Sequence, residues 1–421
     1  MTDDKANGPE AGEKTEAAEG TVEKKSLMSF LIQELKPKGK LITPFNVISA
    51  PVIALGMVLI VIRMAKGLGA VTNLNQEFPW GLWIGFDVVT GVAFAGGAYV
   101  LTFAVYVAGA KKFKPIIRAT VLNGFLAYLF YAGALALDVG RPWNMINVII
   151  GNDFGVNSVL FLVAWHFMLY MIAEFIEFSP AVAEWLGWKK VRKVLHALTL
   201  GAVVFGITLS TLHQSGLGAL FLMAGNKIHP LWYTEFIPIL FFVSSIFAGL
   251  SLVIIEGTIS HRVFSDQLSE KNHHSFNGII LGLGKGAAVA MFAYLFLKCL
   301  VFVHGHHWQY LNTPMGYWFL VELIGFVCVP FFLFVEGVRS RNISNIRIAA
   351  LLAAVGIILN RLNISVVAYN WFVPIHYWPS WMEIEITFAI IFLEIWAFRW
   401  VILRMPVLRD PPEWAAQQEE H

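Results

Sequence analysis

Long apolar runs, separated by short polar stretches, repeat along most of this chain. Ten windows stand out: 45–64, 82–109, 116–137, 156–178, 194–223, 234–260, 276–303, 314–336, 346–369 and 383–404. At 1.5 Å of rise per residue, each is a helix long enough to cross most or all of about 30 Å of hydrocarbon. The pattern predicts an all-α integral membrane protein with ten transmembrane helices. It divides the chain into a tail and approach over 1–44, a membrane domain over 45–405 and a short tail over 406–421.

The polar punctuation orients these spans. Lys111, Lys112, Lys114, Arg118, Lys189, Lys190, Arg192, Lys193, Arg262, Lys271, Arg339, Arg341 and Arg347 flank one set of ends, and Lys36, Lys38 and Lys40 precede the first span. The alternate loops hold only Arg63, Lys66, Arg141 and Lys227. Basic residues stay in the cytoplasm, so both termini are expected there, in a bacterial inner membrane. The bare loops carry aromatics suited to the interface, including Phe78, Trp80, Trp143, Trp232 and Trp378.

Composition sharpens the picture only in places. Hydrophobic residues make up 57% of the 421 and charged residues 14%, against about a quarter charged in soluble domains. The first 25 residues carry seven acids and four bases and read as a disordered tail without a signal peptide. Cys299 and Cys328 lie inside apolar runs, so neither a disulfide, a zinc site nor a Cys-ligated cluster is expected. Nothing points to a nucleic-acid partner.

Intramembrane charge is costly, so it marks function or pairing. Depth along the alternating helices places Asp87, Asp138, Arg141, Asn157, Ser158, His213, Gln214 and Arg361 in one outer layer. Asp138 and Arg141 are expected to pair where Gly140 and Pro142 end the third span. Such a layer suits a quinone, whose ring prefers lipid while its oxygens need donors and acceptors. Asp87, Asp138, Arg141 and His213 are the candidates for chemistry; Trp80, Asn157 and Gln214 join Asp138 and His213 as quinone contacts. An inward set of Glu256, Lys285, Lys298, Glu322 and His166, with Arg361, is a candidate proton path, with structural pairing such as Lys298 to Glu322 an equal reading. His166 and His213 are read as lying at different depths, unlike paired haem ligands. Glycines 91, 96 and 97 in span 2, and 201 and 206 in span 5, predict close helix contacts. Pro330 predicts a kink.

Several ordered motifs resemble the polysulfide-reductase/NrfD-type membrane subunits. They are Phe78-Pro79-Trp80-Gly81-Leu82-Trp83-Ile84 with Asp87, Asp138-Val139-Gly140-Arg141 and Asn157-Ser158-Val159-Leu160-Phe161. His213-Gln214-Ser215-Gly216-Leu217-Gly218, His229-Pro230-Leu231-Trp232 and Glu256-Gly257 continue the match from about residue 45 to 405. The ten-span form is most similar to the HybB-type subunit of nickel–iron hydrogenases, with relatives in Hmc, Dsr and Qrc complexes. The resemblance implies two four-helix bundles, spans 2–5 and 6–9, flanked by spans 1 and 10. It also implies a subunit without haem or iron–sulfur cluster that exchanges electrons between a periplasmic ferredoxin-like iron–sulfur partner and menaquinone or ubiquinone. Catalytic partners would be a nickel–iron hydrogenase or a multihaem-cytochrome or molybdopterin-type enzyme. A secondary transporter, a di-haem cytochrome b and a passive anchor are the rival readings.

Overall fold

The computed structural model describes residues 27–151, 155, 157–268 and 270–416. The acidic stretch expected to be disordered falls on residues 1–25, outside the described ones. A short helix α1 (Leu27–Leu35) belongs to a separate unit ending at Ile42. The second unit, from Thr43 onward, holds everything discussed below.

Its helices are α2 (Pro44–Lys66), α3 (Trp83–Val107), α4 (Lys114–Asp138), a short α5 (Ile146–Ile150), α6 (Val159–Leu186), α7 (Lys189–Leu222), α8 (Ile237–Val263) and α9 (Glu270–His304). They continue through α10 (Pro314–Arg339), α11 (Ile343–Val367), α12 (Trp381–Ile402) and a last turn, α13 (Glu413–Ala416). Several begin where the sequence supplies a cap. Thr43, Ser158, Thr313, Asn342 and Ser380 each accept a backbone N–H of the first turn, which satisfies a donor that the helix cannot. Gly187, at φ 72°, ends α6 in the left-handed region and lets α7 start at once. Lys189, Lys190, Arg192 and Lys193, expected in a loop, therefore lie on the first turns of α7.

Among the described residues, nine helices are long and apolar enough to cross a membrane. The tenth expected window forms α12, which is 22 residues long but carries Glu383, Glu385, Glu394 and Arg399. Helix α3 packs against α4, α7 and α8; α6 packs against α4 and α7. Helix α8 packs against α9 and α11, and α10 against the same two. Helix α2 packs along α12, which also touches α4.

Helices α3 and α8 approach one another closely through glycines. A Cβ on Gly249 would stand 1.9 Å from the Gly97 nitrogen, and one on Gly96 would stand 2.6 Å from the Ser245 carbonyl oxygen. Span 2 thus uses its glycines as expected, whereas Gly201 has nothing within 4 Å and Gly206 only ordinary contacts. Two functional-looking acids sit on π-helical turns: Asp87 in Trp83–Val88 and Glu322 in Val321–Cys328. The second turn runs directly into Pro330, where a missing N–H disrupts the regular ladder.

At one end the loops are tied together. His229 N–H bonds to Ala368 O at 2.9 Å and Asn370 N–H to Lys227 O at 2.6 Å, around an isolated bridge from Ile228 to Tyr369. The Asn370 side chain also donates to Glu77 O. Three loops from distant parts of the sequence therefore share one layer.

Candidate functional site: a buried acid pair beneath the tied loops

Beneath that layer, the end of α2, the start of α3, the end of α4 and the start of α12 converge. Asp87 is fully buried; its Oδ2 accepts the Thr387 hydroxyl at 2.9 Å. Its Oδ1 has no hydrogen-bond partner, and neither has the buried Oδ1 of Asp138. The two carboxyls are electrostatic neighbours. Leaving such oxygens unmatched costs about 1–3 kcal/mol each, which makes them candidate contacts for a ligand or water.

The cation beside Asp138 is not the one expected. Arg141 is exposed and forms no ion pair with Asp138. Arg63, 1% exposed, occupies that neighbourhood: its Nε donates to Leu137 O and its terminal nitrogen to Val139 O, both at 2.6 Å. The reason is the end of α4. The last carbonyls of a helix lack intrahelical donors and carry its negative pole, and a guanidinium from the neighbouring helix matches them. Arg141 lies beyond that turn, in a loop turning outward.

Glu383 closes the top of this group. Its carboxylate accepts Asn73 N–H at 3.1 Å, Ser380 N–H at 2.8 Å and the Tyr377 hydroxyl. With Ser380 it forms a capping box on α12. Tyr377, in the loop before α12, also accepts Leu82 N–H at 3.1 Å. Burial and the adjacent carboxylate raise its pKa well above the ordinary phenol, so it stays a donor. Below Asp87, Glu394 lies beside Tyr131.

His213 is buried separately, packed between α4, α6 and α7. Its Nδ1 faces Val163 O at 3.1 Å, its ring packs on Phe167 and Tyr128, and its buried Nε2 has no partner. Tyr128, Ser210 and Glu174 present further buried polar atoms there without regular hydrogen bonds. His166 is an electrostatic neighbour of His213. Gln214 is committed elsewhere: it donates to Val92 O at 2.7 Å and ties α7 to α3. Trp80 packs edge-on against Phe221 and beside Tyr369. Asn157 is exposed.

The inward set divides. Glu322 is fully matched: it accepts Trp232 Nε1 at 2.7 Å, Asn360 at 2.7 Å and Asn363. Arg361 donates to Asn360 and to Ser244, each at 2.7 Å, and stacks 3.6 Å over Phe241. Lys298 is buried near Glu322 but over the Tyr294 and Phe319 rings, without a direct ion pair. Glu256 neighbours Glu394 instead, and Lys285 is exposed, outside both groups. In the tied loops, His229 is enclosed by Trp232, Tyr310 and Trp371. Burial, helped by His307, lowers its pKa to about 4.

Sequence reading missed Arg63, Thr387, Tyr131 and Glu394 as partners of the acid pair. Glu394 carried a usable signal, an acid deep in an apolar helix. Arg63 did not, because a cation in a last turn reads equally well as an interfacial residue.

The family model for polysulphide reductase, NrfD, matches residues 70–374. The chain belongs to the NrfD family. Among NrfD relatives, a protein of Nitratidesulfovibrio vulgaris is 42% identical over 91% of this chain and 99% of its own length. The probable Ni/Fe-hydrogenase 2 b-type cytochrome subunit of Escherichia coli is 32% identical over 91% and 96%. The menaquinone reductase integral membrane subunit of N. vulgaris is 28% identical over 76% and 78%. This chain is thus a multi-pass membrane protein similar to subunits of redox complexes.

Proposed function

We propose that this NrfD protein is the quinone-interacting membrane subunit of a respiratory oxidoreductase, with the quinone headgroup received beside Asp87 and Asp138. The observation that carries the reading is the pair of buried carboxyl oxygens without partners, brought together by different helices near the tied loops. Quinone reduction takes up two electrons and two protons, and a carboxyl beside the ring holds or releases the proton at an oxygen. Arg63 fixes the end of α4 that presents Asp138. Thr387 orients Asp87. His213, with Tyr128 behind it, is the second proton-exchanging group, and Arg141 lies outside the pair as a surface cation.

In this reading α12 is the tenth span, paired with α2. Helices α3, α4, α6 and α7 form one four-helix bundle and α8 to α11 the other, with both termini cytoplasmic. Electrons pass between the quinone and a docked ferredoxin-like iron–sulfur subunit on the tied-loop face, which serves a hydrogenase or another catalytic subunit. Of the inward set, Lys298 and Glu256 remain the candidates for a proton path, while Glu322 and Arg361 are held in a structural network.

Asp138→Asn and His213→Ala are each expected to slow quinone turnover by about 100-fold or more while the complex still assembles. Normal turnover in both variants, with assembly verified on native gels, removes the site. A b-type haem is the second reading, favoured by the name of the E. coli relative, a b-type cytochrome subunit, and by the unpartnered Nε2 of His213. An absorbance spectrum of the purified subunit decides between them: the quinone reading expects no Soret band.

A further inference from the structure

A cavity of about 700 Å³ opens at the end of the molecule opposite the acid pair, and none of Asp87, Asp138 or His213 lines it. Its walls come from the end of α3, the start of α4, the second half of α6, the start of α7, α9 and the segment after α12. Two chemistries meet in it. Lys111, Lys112, Lys114, Arg118, Arg192 and Arg409 supply positive charge, while Ile117, Val121, Phe178 and Leu408 supply apolar wall.

The charge is not balanced from within. Glu184 serves both Arg118, bidentate at 2.7 and 2.9 Å, and Arg192, at 3.2 Å. One buried carboxylate thus holds two guanidiniums. Arg118 is further fixed by Pro406 O at 2.9 Å. Glu177 and Asp410 are the acids in the lining, against Lys111, Lys112 and Arg409. Lys112 holds its ammonium 4.8 Å over the Phe113 ring, at the cavity wall. At the rim Tyr106 is 44% exposed, between Phe103 at 47% and Val107 at 52%. The cavity therefore reaches the lipid-facing side of α3.

We infer that this cavity holds an anionic phospholipid, its phosphodiester among Lys111, Lys112 and Arg409 and its acyl chains along Ile117, Val121 and Tyr106. A soluble anion would use the cations but not the apolar wall or the opening beside Phe103. A neutral lipid would use the wall but not the excess charge. Basic pockets between transmembrane helices at a membrane surface select acidic headgroups on these grounds. The inference rests on membrane embedding alone and stands whether or not the acid pair binds quinone.

The test uses the full chain, delipidated in mild detergent, with native mass spectrometry and thermal melting as readouts. Phosphatidylglycerol is expected to remain bound and raise the melting temperature; phosphatidylcholine of the same chains and inorganic phosphate are expected to do neither. The K111Q/K112Q variant should weaken phosphatidylglycerol binding by about fivefold for each charge removed, without changing the lipid-free melting temperature. If that variant does not fold, Arg409→Gln on the C-terminal segment carries the same comparison. Equal binding of both lipids, equal stabilisation by phosphate, or an unchanged response in the folded variant each overturns the inference.

Discussion

At the scale of single residues, matched and unmatched acids separate two kinds of work. Asp87 and Asp138 each leave a buried oxygen without a partner, whereas Glu322 receives three side-chain donors. The structural role follows for Glu322. Glu322→Ala leaves Trp232, Asn360 and Asn363 with buried donors and no acceptor, at about 1–3 kcal/mol for each group. It should lower the melting temperature in detergent markedly, and Glu322→Gln should lower it less. Equal melting of the alanine variant and the parent rules the network out as a stabiliser. The identities of Asp87, Asp138 and His213 were legible in the sequence because acids and a histidine stand out in apolar helices. Their partners were not. A chain read in order cannot show that Arg63, 74 residues away from Leu137, is the base at the end of α4, while Arg141, three positions from Asp138, faces outward.

At the scale of helices, apolar length was the dependable signal, because crossing hydrocarbon fixes it within narrow limits. Close packing was less readable, since a glycine looks the same in sequence whether it faces a helix or lipid. Gly249 meets the backbone of α3, but Gly201 meets nothing. Gly249→Val is therefore expected to push α3 from α8 and sharply reduce the yield of folded protein in membranes, by a destabilisation of about 1–3 kcal/mol or more. Gly201→Ala should leave yield unchanged. Similar yields from the two variants would remove the α3–α8 contact as a determinant of folding. The extension of α6 to Leu186 and the early start of α7 also escaped the hydropathy pattern, because basic residues on a helical turn read as loop.

At the scale of the whole molecule, the tenth span is where composition and geometry part. Helix α12 has the length to cross and packs along α2, yet its acids and Arg399 lower its apolarity. If it crosses, the two ends of the chain lie on the same side. Reporter fusions at both ends, read for cytoplasmic fluorescence and periplasmic phosphatase activity, should both report cytoplasm; opposite readings leave nine crossings. The bundle partition, the orientation and the inner polar groups all turn on that result.

The boundaries of the NrfD match give the acid pair a further consequence. The matched stretch, 70–374, contains Asp87 and Asp138 but ends short of α2 on one side and α12 on the other. Arg63, Thr387, Glu383 and Glu394 all belong to those two outlying helices. A protein trimmed to the matched stretch would retain both acids while losing Arg63, Thr387 and Glu383 around them. The outer helices are thus more than membrane padding: they set the surroundings in which this acid pair must operate.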